Sequence, residues 1–285
     1  MTGWRVTARA IGLVVLYLVV GLVLTALPFI LYIRYSTAPD TAALTGNSTA
    51  LLLQGLAQLS VFGFLTWLLG RRVLKLTPEQ LGWAPSGRGQ GFVRGLVIAT
   101  ALAGTALLLA VAFGGARWLP DTGGALDYLR NVGLTAAVLA PAALAEEVAF
   151  RGFPLVVLAS VFGRGPAIVV MSLIFGLAHG LNPEVTPLAI GNVALAGVFL
   201  SLAFYAPGGI WTAWGAHLGW NATLAALDAP VSGLPFRIPL INFDPGTVTW
   251  FTGGAFGPEG GVTATVVLMI GCAVLARFVR KDGTA

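Results

Sequence analysis

The chain has 285 residues, of which 57% are hydrophobic and 9% are charged, and its mean hydropathy is +0.88. A soluble domain carries about 25% charged residues, so this composition excludes an ordinary soluble enzyme and indicates a polytopic membrane protein. The net charge of +5 does not indicate a nucleic-acid partner, because the basic residues flank apolar runs rather than cluster in a polar region.

Apolar runs of about 20 residues are candidates for membrane-spanning helices. The first run is longer than the core of a signal peptide and lacks a cleavage site of small residues, so we interpret it as a retained span. The sequence therefore predicts an all-α bundle of about eight transmembrane helices in one membrane domain, residues 1–285. The predicted spans are 10–33, 50–70, 92–114, 132–159, 165–181, 186–205, 209–227 and 262–279. They comprise N-terminal spans over about 10–114, a motif-bearing core over about 131–228, and a C-terminal span over about 262–279.

The basic residues are distributed unequally over the predicted loops. With eight spans, one set of loops and tails carries eleven of the sixteen Lys and Arg residues and the other set carries four, while Arg151 lies inside a span. The positive-inside rule then places both termini in the cytoplasm. Most loop acids, Glu259 among them, fall on the outer side. Arg outnumbers Lys by 14 to 2, as in proteins from GC-rich bacterial genomes, so we expect a bacterial cytoplasmic membrane.

Two connecting segments have compositions that suggest more than a simple loop. Residues 77–83 begin with Thr77-Pro78 and are predicted to form a short interfacial helix with Thr77 as its N-cap. Residues 228–260 are rich in Pro, Gly and aromatic side chains. They form either an irregular surface loop or a cover over the outer mouth of the bundle.

The fourth apolar run contains three ionisable residues, Glu146, Glu147 and Arg151. Each such side chain at the centre of a transmembrane helix costs roughly 2.5–3.5 kcal/mol, so a function is expected of them. Glu147 and Arg151 are four residues apart, which places them on one helix face as a predicted ion pair. Glu146 is offset by about 100° and can contact a different partner. Pro141 is expected to kink this helix near the site.

Both histidines of the chain lie in apolar runs. His179 follows Gly176 and Ala178, small residues that let a neighbouring helix approach closely. His217 and Asn221 are four residues apart and share one face of the seventh run. Because buried polar groups in apolar helices find one another, we expect these side chains to meet the two glutamates.

Two carboxylates, two imidazoles and an amide, without an obvious nucleophile motif, favour water as the nucleophile of a hydrolytic reaction. A carboxylate can serve as the general base. Imidazole and amide N–H donors can stabilise an oxyanion, a contribution of about 2.7–4 kcal/mol per donor. The residues therefore indicate amide hydrolysis within the membrane.

Two other functions also account for buried ionisable residues. In a proton- or cation-coupled transporter, intramembrane Glu and His side chains relay protons or bind cations, although the paired discontinuous helices typical of transporters are not apparent here. A non-catalytic immunity or scaffolding protein is the second alternative. Substitution of Glu146 distinguishes them from a protease, because a binding role should survive it.

The three motifs resemble those of the CPBP family of membrane proteases, also called the Abi family, which is related to the CAAX prenyl endopeptidases. That family combines Glu-Glu-x-x-x-Arg, Phe-x-x-x-His and His-x-x-x-Asn on separate helices. Here the motifs occupy 146–151, 175–179 and 217–221, and the resemblance covers about residues 140–225. It implies an intramembrane endopeptidase that acts on a membrane-embedded or lipidated peptide or protein, either a CAAX-type tail or a leader peptide.

The resemblance also implies roles for the motif residues. Glu146 would activate water with the assistance of His179, and His217 and Asn221 would form the oxyanion hole. Glu147, Arg151 and Phe175 would support them.

A zinc ion is the alternative to metal-independent chemistry, with Glu146, His179 and His217 as its ligands. We favour the metal-independent mechanism, with no cofactor. An oxyanion site requires N–H donors, whereas a zinc ligand must use an imidazole lone pair.

Overall fold

The structure, a computed structural model, describes residues 3–35, 48–83 and 86–279. Asp40, Arg280 and Lys281, which contributed to the predicted orientation, lie outside these ranges. The described chain is a bundle of α-helices, so the predicted fold class is confirmed.

Each predicted apolar run coincides with helical structure. The helices are α1 (Gly3–Tyr35), α2 (Ser48–Leu65), α3 (Arg88–Gly114), α4 (Ala125–Glu147), α5 (Phe153–Phe162), α6 (Arg164–Ala178), α7 (Pro187–Tyr205), α8 (Ile210–Ala226), the single turn α9 (Thr249–Thr252) and α10 (Val262–Ala276). Two π-helical segments, Thr66–Val73 and Val148–Gly152, follow α2 and α4, and two 3-10 turns, Gly254–Phe256 and Pro258–Gly260, precede α10. The predicted fourth run is thus divided between α4, a π-helical turn and α5.

Within the described ranges, five helical stretches are long and apolar enough to cross a membrane: Gly3–Leu27, Ser48–Val73, Arg88–Gly114, Ala125–Phe162 and Pro187–Tyr205. Helices α6 and α10 are apolar but shorter. The count of eight crossings and the cytoplasmic location of both termini remain predictions.

Helix α8 lies at the centre of the bundle, where it packs against α3, α4 and α7. Its approach to α3 depends on glycine: a β-carbon at Gly219 would lie 2.5 Å from the Leu96 carbonyl oxygen, and one at Gly215 would collide with the Phe92 carbonyl. Between membrane helices, small residues of this kind allow the close backbone contact that drives association. The helix that carries His217 is therefore held tightly in place.

The segment 228–260 folds over the helices as an ordered cover rather than an irregular surface loop. It contains β2 (Ile241–Asp244), which pairs antiparallel with β1 (Arg117–Pro120) directly after α3. The Asp228 carboxylate accepts hydrogen bonds from the backbone N–H groups of Ile238 (2.7 Å) and Phe243 (3.2 Å). These bonds fix the start of the cover relative to the end of α8.

The predicted interfacial helix at 77–83 is wrong, because this segment forms only a turn. Its capping bonds are nevertheless present. The Thr77 N–H donates to Gln80 Oε1 (2.8 Å), and the Gln80 N–H donates to Thr77 Oγ1 (3.3 Å). These reciprocal bonds close one turn, and Gly82 then takes a φ of +82°, which ends any helical continuation.

Candidate active site

The two glutamates lie where the helix changes its hydrogen-bonding pattern. Helix α4 runs as an α-helix through Pro141, and the change to π-helical hydrogen bonding comes later, in the turn Val148–Gly152. The kink at Pro141 stays a prediction. Gly152, with ψ at −107°, then separates this turn from α5. Short π-helical segments of this kind are frequent at functional sites. Here the turn presents Arg151 beside the last residues of α4.

The π-helical turn is also bonded to the N-terminal helices. Tyr17 of α1 is fully buried, and its hydroxyl donates to the Val148 carbonyl oxygen at 3.0 Å. The same hydroxyl lies 3.0 Å from Thr66 Oγ1, which can donate to it. Helix α1 therefore supplies a hydrogen bond to this irregular backbone, and Thr66, in the π-helical segment after α2, holds the Tyr17 hydroxyl in place.

Glu147 is the centre of a buried charged network. Its Oε1 accepts from Arg151 Nη1 at 3.1 Å and lies 2.7 Å from His217 Nδ1. The side chains of Glu147 and Arg151 are 0% and 1% exposed, so the predicted ion pair is present in the interior. Arg151 also donates to the Gly197 carbonyl oxygen at 3.4 Å and stacks 4.2 Å from the Phe175 ring centre.

Glu146 points to different partners, as its angular offset predicted. Its Oε2 lies 3.8 Å from His179 Nε2 and 3.8 Å from His217 Nε2. This oxygen is buried and, among the described residues, makes no direct hydrogen bond. The separations exceed a hydrogen bond but suit a bridging water molecule.

His179 ends α6, and its ring is fixed by a single backbone contact. Nδ1 lies 2.8 Å from the Phe175 carbonyl oxygen, which can only accept, so Nδ1 carries the proton. Nε2 is then the ring nitrogen that faces Glu146. At Gly176 a β-carbon would lie 2.8 Å from the Ile190 carbonyl oxygen, so α6 and α7 pack as closely as the small residues predicted.

His217 and Asn221 both line the same cavities from α8. A cavity of about 460 Å³ is lined by the four residues predicted to be catalytic and extends towards α1 and α2. A second cavity of about 30 Å³ is large enough for one or two water molecules. It is lined by His179, His217 and Asn221 but not by Glu146, and we call it the inner cavity. The imidazoles and the amide thus separate the two spaces.

The inner cavity contains a carboxylate that the sequence did not predict, that of Glu259. Its Oε1 accepts from Trp220 Nε1 at 3.2 Å, and its Oε2 accepts from the hydroxyl of Ser232 at 2.9 Å and from the backbone N–H of the same residue. Burial raises the pKa of the Glu259 carboxyl, although the hydrogen bonds from Ser232 and the two nearby imidazoles oppose this shift. The signal in the sequence is an acid directly before an apolar helix, whereas the predicted threading places Glu259 in an outer loop.

Among the residues that the structure describes, no three His, Cys, Asp or Glu side chains are grouped closely enough to hold a metal ion. Two ligands of a tetrahedral zinc ion, each about 2.0–2.1 Å from it, lie about 3.3 Å apart. The 3.8 Å separations between Glu146 Oε2 and each imidazole Nε2 are wider. Zinc binding by Glu146, His179 and His217 would therefore require these side chains to move closer together.

The fold and the site define a class of protein: an integral membrane helical bundle with carboxylates, imidazoles and an amide around an internal cavity. A family model described as Type II CAAX prenyl endopeptidase Rce1-like matches residues 129–223. The predicted resemblance is confirmed, and all seven predicted site residues lie inside the matched segment, whereas Tyr17 and Glu259 lie outside it. No curated protein and no solved structure matches the chain significantly.

Proposed function

We propose that this protein is an intramembrane endopeptidase that cleaves a peptide bond in a membrane-associated, lipidated protein, with a prenylated CAAX-type tail as the first substrate class to test. One observation carries the proposal: Glu146 Oε2 faces the Nε2 atoms of both imidazoles at 3.8 Å, beside a cavity of about 460 Å³. The match to a prenyl endopeptidase family supports the same reaction.

In the proposed mechanism, Glu146 and His179 hold the attacking water. Both Glu146 Oε2 and the unprotonated Nε2 of His179 are acceptors, so one water molecule can donate a hydrogen to each and direct its lone pair at the scissile carbonyl carbon. Glu146 takes the proton as the water attacks. It then returns that proton to the leaving amine as the C–N bond breaks.

His217 and Asn221 would stabilise the tetrahedral oxyanion. Glu147 is bonded to Arg151 and acts as an ionised acceptor, so Nδ1 of His217 is the donor in their 2.7 Å contact. Nε2 of His217 can then donate to the oxyanion only as an imidazolium. With that charge, Glu146, Glu147, Arg151 and His217 sum to zero, which avoids an uncompensated charge in the bilayer.

The first test compares new protein N-termini in native membranes that contain the wild type, Glu146→Gln or Glu184→Gln at matched expression. Glu184 is exposed and lies outside the site, so its variant is the control. We expect a set of N-termini that is present with the wild type and the control and is absent with Glu146→Gln. Identical N-termini in all three, together with a cellular phenotype that survives Glu146→Gln, would instead favour the transporter or the non-catalytic protein.

A second test addresses zinc. We expect the purified protein to retain cleavage after treatment with a membrane-permeant chelator. Complete loss of cleavage, with recovery on addition of zinc, would establish the metal-dependent alternative.

A further inference from the structure

Helix α2 carries two glutamines inside a stretch that is long and apolar enough to span the membrane. Gln54 and Gln58 both line the large cavity that also contains Glu146. Within the described ranges, neither side chain makes a hydrogen bond to the protein. The nearby Ser60, in contrast, donates to the Leu56 carbonyl oxygen of its own helix at 2.8 Å. Polar side chains at this depth are costly and generally mark a ligand or a water-filled cavity.

Packing places these glutamines opposite the candidate active site. Between them, Gly55 allows α2 to approach α4, since a β-carbon there would lie 3.0 Å from the Ala142 backbone nitrogen. Further along both helices, Tyr17 bridges Thr66 of the α2 extension and Val148 after α4. The two helices therefore run parallel. Gln58, three residues after Gly55, lies near the level of Glu146, which is four residues after Ala142.

The geometry of the two amides matches an extended peptide. Residues four apart on an α-helix are separated by a rise of about 6 Å, and alternate residues of an extended chain are separated by about 6.7 Å. Each glutamine amide can both donate and accept. Two amides at this spacing can therefore bond successive main-chain groups along one edge of an extended segment.

A peptide that enters an intramembrane cavity brings backbone N–H and C=O groups that lipid cannot satisfy, and each unpaired group costs several kcal/mol. A protease that recognises such a segment needs main-chain partners near the scissile bond. Apart from Gln54 and Gln58, the residues of α2 that line the cavity are Leu51, Gly55 and Phe62, none of which offers a polar side chain.

We propose that Gln54 and Gln58 form a main-chain binding site that holds the peptide substrate in an extended conformation across the cavity from Glu146. The proposal rests on the proposed endopeptidase function and specifies its mode of substrate binding. It implies recognition that tolerates different side chains at the bonded positions but depends on the backbone amides. This site lies outside residues 129–223, the segment matched by the family model.

The experiment measures peptide binding to the full chain in nanodiscs with Glu146→Gln in place, so that no turnover occurs. The probe is a fluorescent farnesylated CAAX peptide, together with analogues in which one backbone amide near the scissile bond is replaced by an ester. Gln54→Leu and Gln58→Leu are compared with Gln90→Leu, which removes an exposed amide at the start of α3. Cleavage of the same peptide is measured in parallel with Glu146 intact.

We expect Gln54→Leu and Gln58→Leu each to weaken binding by about 3- to 10-fold, as for loss of one hydrogen bond, with Gln90→Leu unchanged. At one ester position, binding to the parent protein should weaken while binding to a Leu variant does not weaken further, because the lost bond is the same. In cleavage, the Leu variants should raise KM with kcat little changed.

The outcomes separate this inference from the proposed function. Glu146-dependent cleavage with binding that is equal in all three glutamine variants would overturn the inference and support the proposed protease function. Weakened, non-additive binding without any cleavage would support the peptide site and overturn the proposed reaction. Absence of both binding and cleavage would overturn both.

Discussion

Glu147 Oε1 lies 2.7 Å from His217 Nδ1, and the same oxygen also accepts from Arg151. One buried carboxylate oxygen thus orients an imidazole from α8 and a guanidinium from the π-helical turn. Among the described residues, neither Oε2 of Glu147 nor Oε2 of its neighbour Glu146 makes a direct hydrogen bond, but the Glu146 oxygen lies 3.8 Å from Nε2 of both imidazoles. Adjacent residues of the same type therefore serve different purposes, Glu147 to hold the site together and Glu146 to face the cavity.

This difference predicts that substitution of one glutamate lowers stability and that substitution of the other lowers cleavage. Glu147→Gln should destabilise the protein by about 3–5 kcal/mol, because it leaves the Arg151 charge without its buried partner. Glu146→Gln should retain the stability of the wild type and reduce cleavage by at least about 10²-fold, the typical contribution of a general base. Thermal unfolding in nanodiscs measures the first effect, with Glu184→Gln as the exposed control. Equal melting temperatures for Glu147→Gln and the control would contradict the prediction.

The charge states of the two imidazoles can be observed directly, because the chain contains only two histidines. In protein labelled with ¹⁵N-histidine, we expect His179 to be neutral with its proton on Nδ1. His217 should carry protons on both nitrogens at neutral pH. His179→Gln assigns the signals by leaving only those of the other ring. A neutral His217 with an unprotonated Nε2 would remove the proposed oxyanion donor.

Glu259 predicts a pH dependence of stability. Burial raises the pKa of its carboxyl in the folded protein, so the folded state retains a proton that the unfolded chain releases. Stability from this group therefore falls as the pH rises from the ordinary glutamate value of about 4.3 towards the raised value. Glu259→Gln cannot ionise and should remove this fall, so its melting temperature should gain on that of the wild type between pH 4 and pH 7. If the melting temperatures of the variant and the wild type change with pH in the same way across that range, burial of Glu259 does not contribute to the pH dependence of stability.

Helix packing gives a fourth prediction. Gly219→Ala should lower stability by about 1–3 kcal/mol, since its β-carbon would lie 2.5 Å from the Leu96 carbonyl oxygen and force α8 away from α3. Because α8 also carries His217, cleavage should fall as well. Gly104→Ala in α3 is the matched control, because a β-carbon there meets no atom within 4 Å. Unfolding in detergent compares the two, and an equal effect of both would argue against close packing as the cause.

Much of the fold follows from the sequence, because lipid requires long apolar helices and allows few charged residues. Hydropathy located every helix that contributes to the site, and the four-residue spacing of Glu147 and Arg151 predicted their pairing. The scarcity of histidine identified His179 and His217 as partners of the glutamates. These signals are local, or they depend on rarity within apolar runs.

The remaining features depend on contacts between distant segments. Glu259 follows a segment whose path is set by pairing of β2 with β1 and by Asp228, and no periodic pattern encodes that path. The π-helical turn accepts a hydrogen bond from Tyr17, which is more than a hundred residues away in the sequence. Gln54 and Gln58 resemble ordinary polar residues of a helix until the packing of α2 on α4 places them at the cavity.

The bond from Tyr17 to the Val148 carbonyl oxygen has a consequence for how this protein can be divided. The segment matched by the family model begins at residue 129, yet a fragment cut there would lose the Tyr17 hydroxyl, which bonds that carbonyl in addition to the i→i+5 backbone bond of the π-helical turn beside the glutamates. The segment defined by sequence similarity therefore does not include every residue that bonds the backbone beside the glutamates. A fragment or graft that keeps the geometry beside the glutamates is therefore expected to include the first helix, which supplies that hydroxyl.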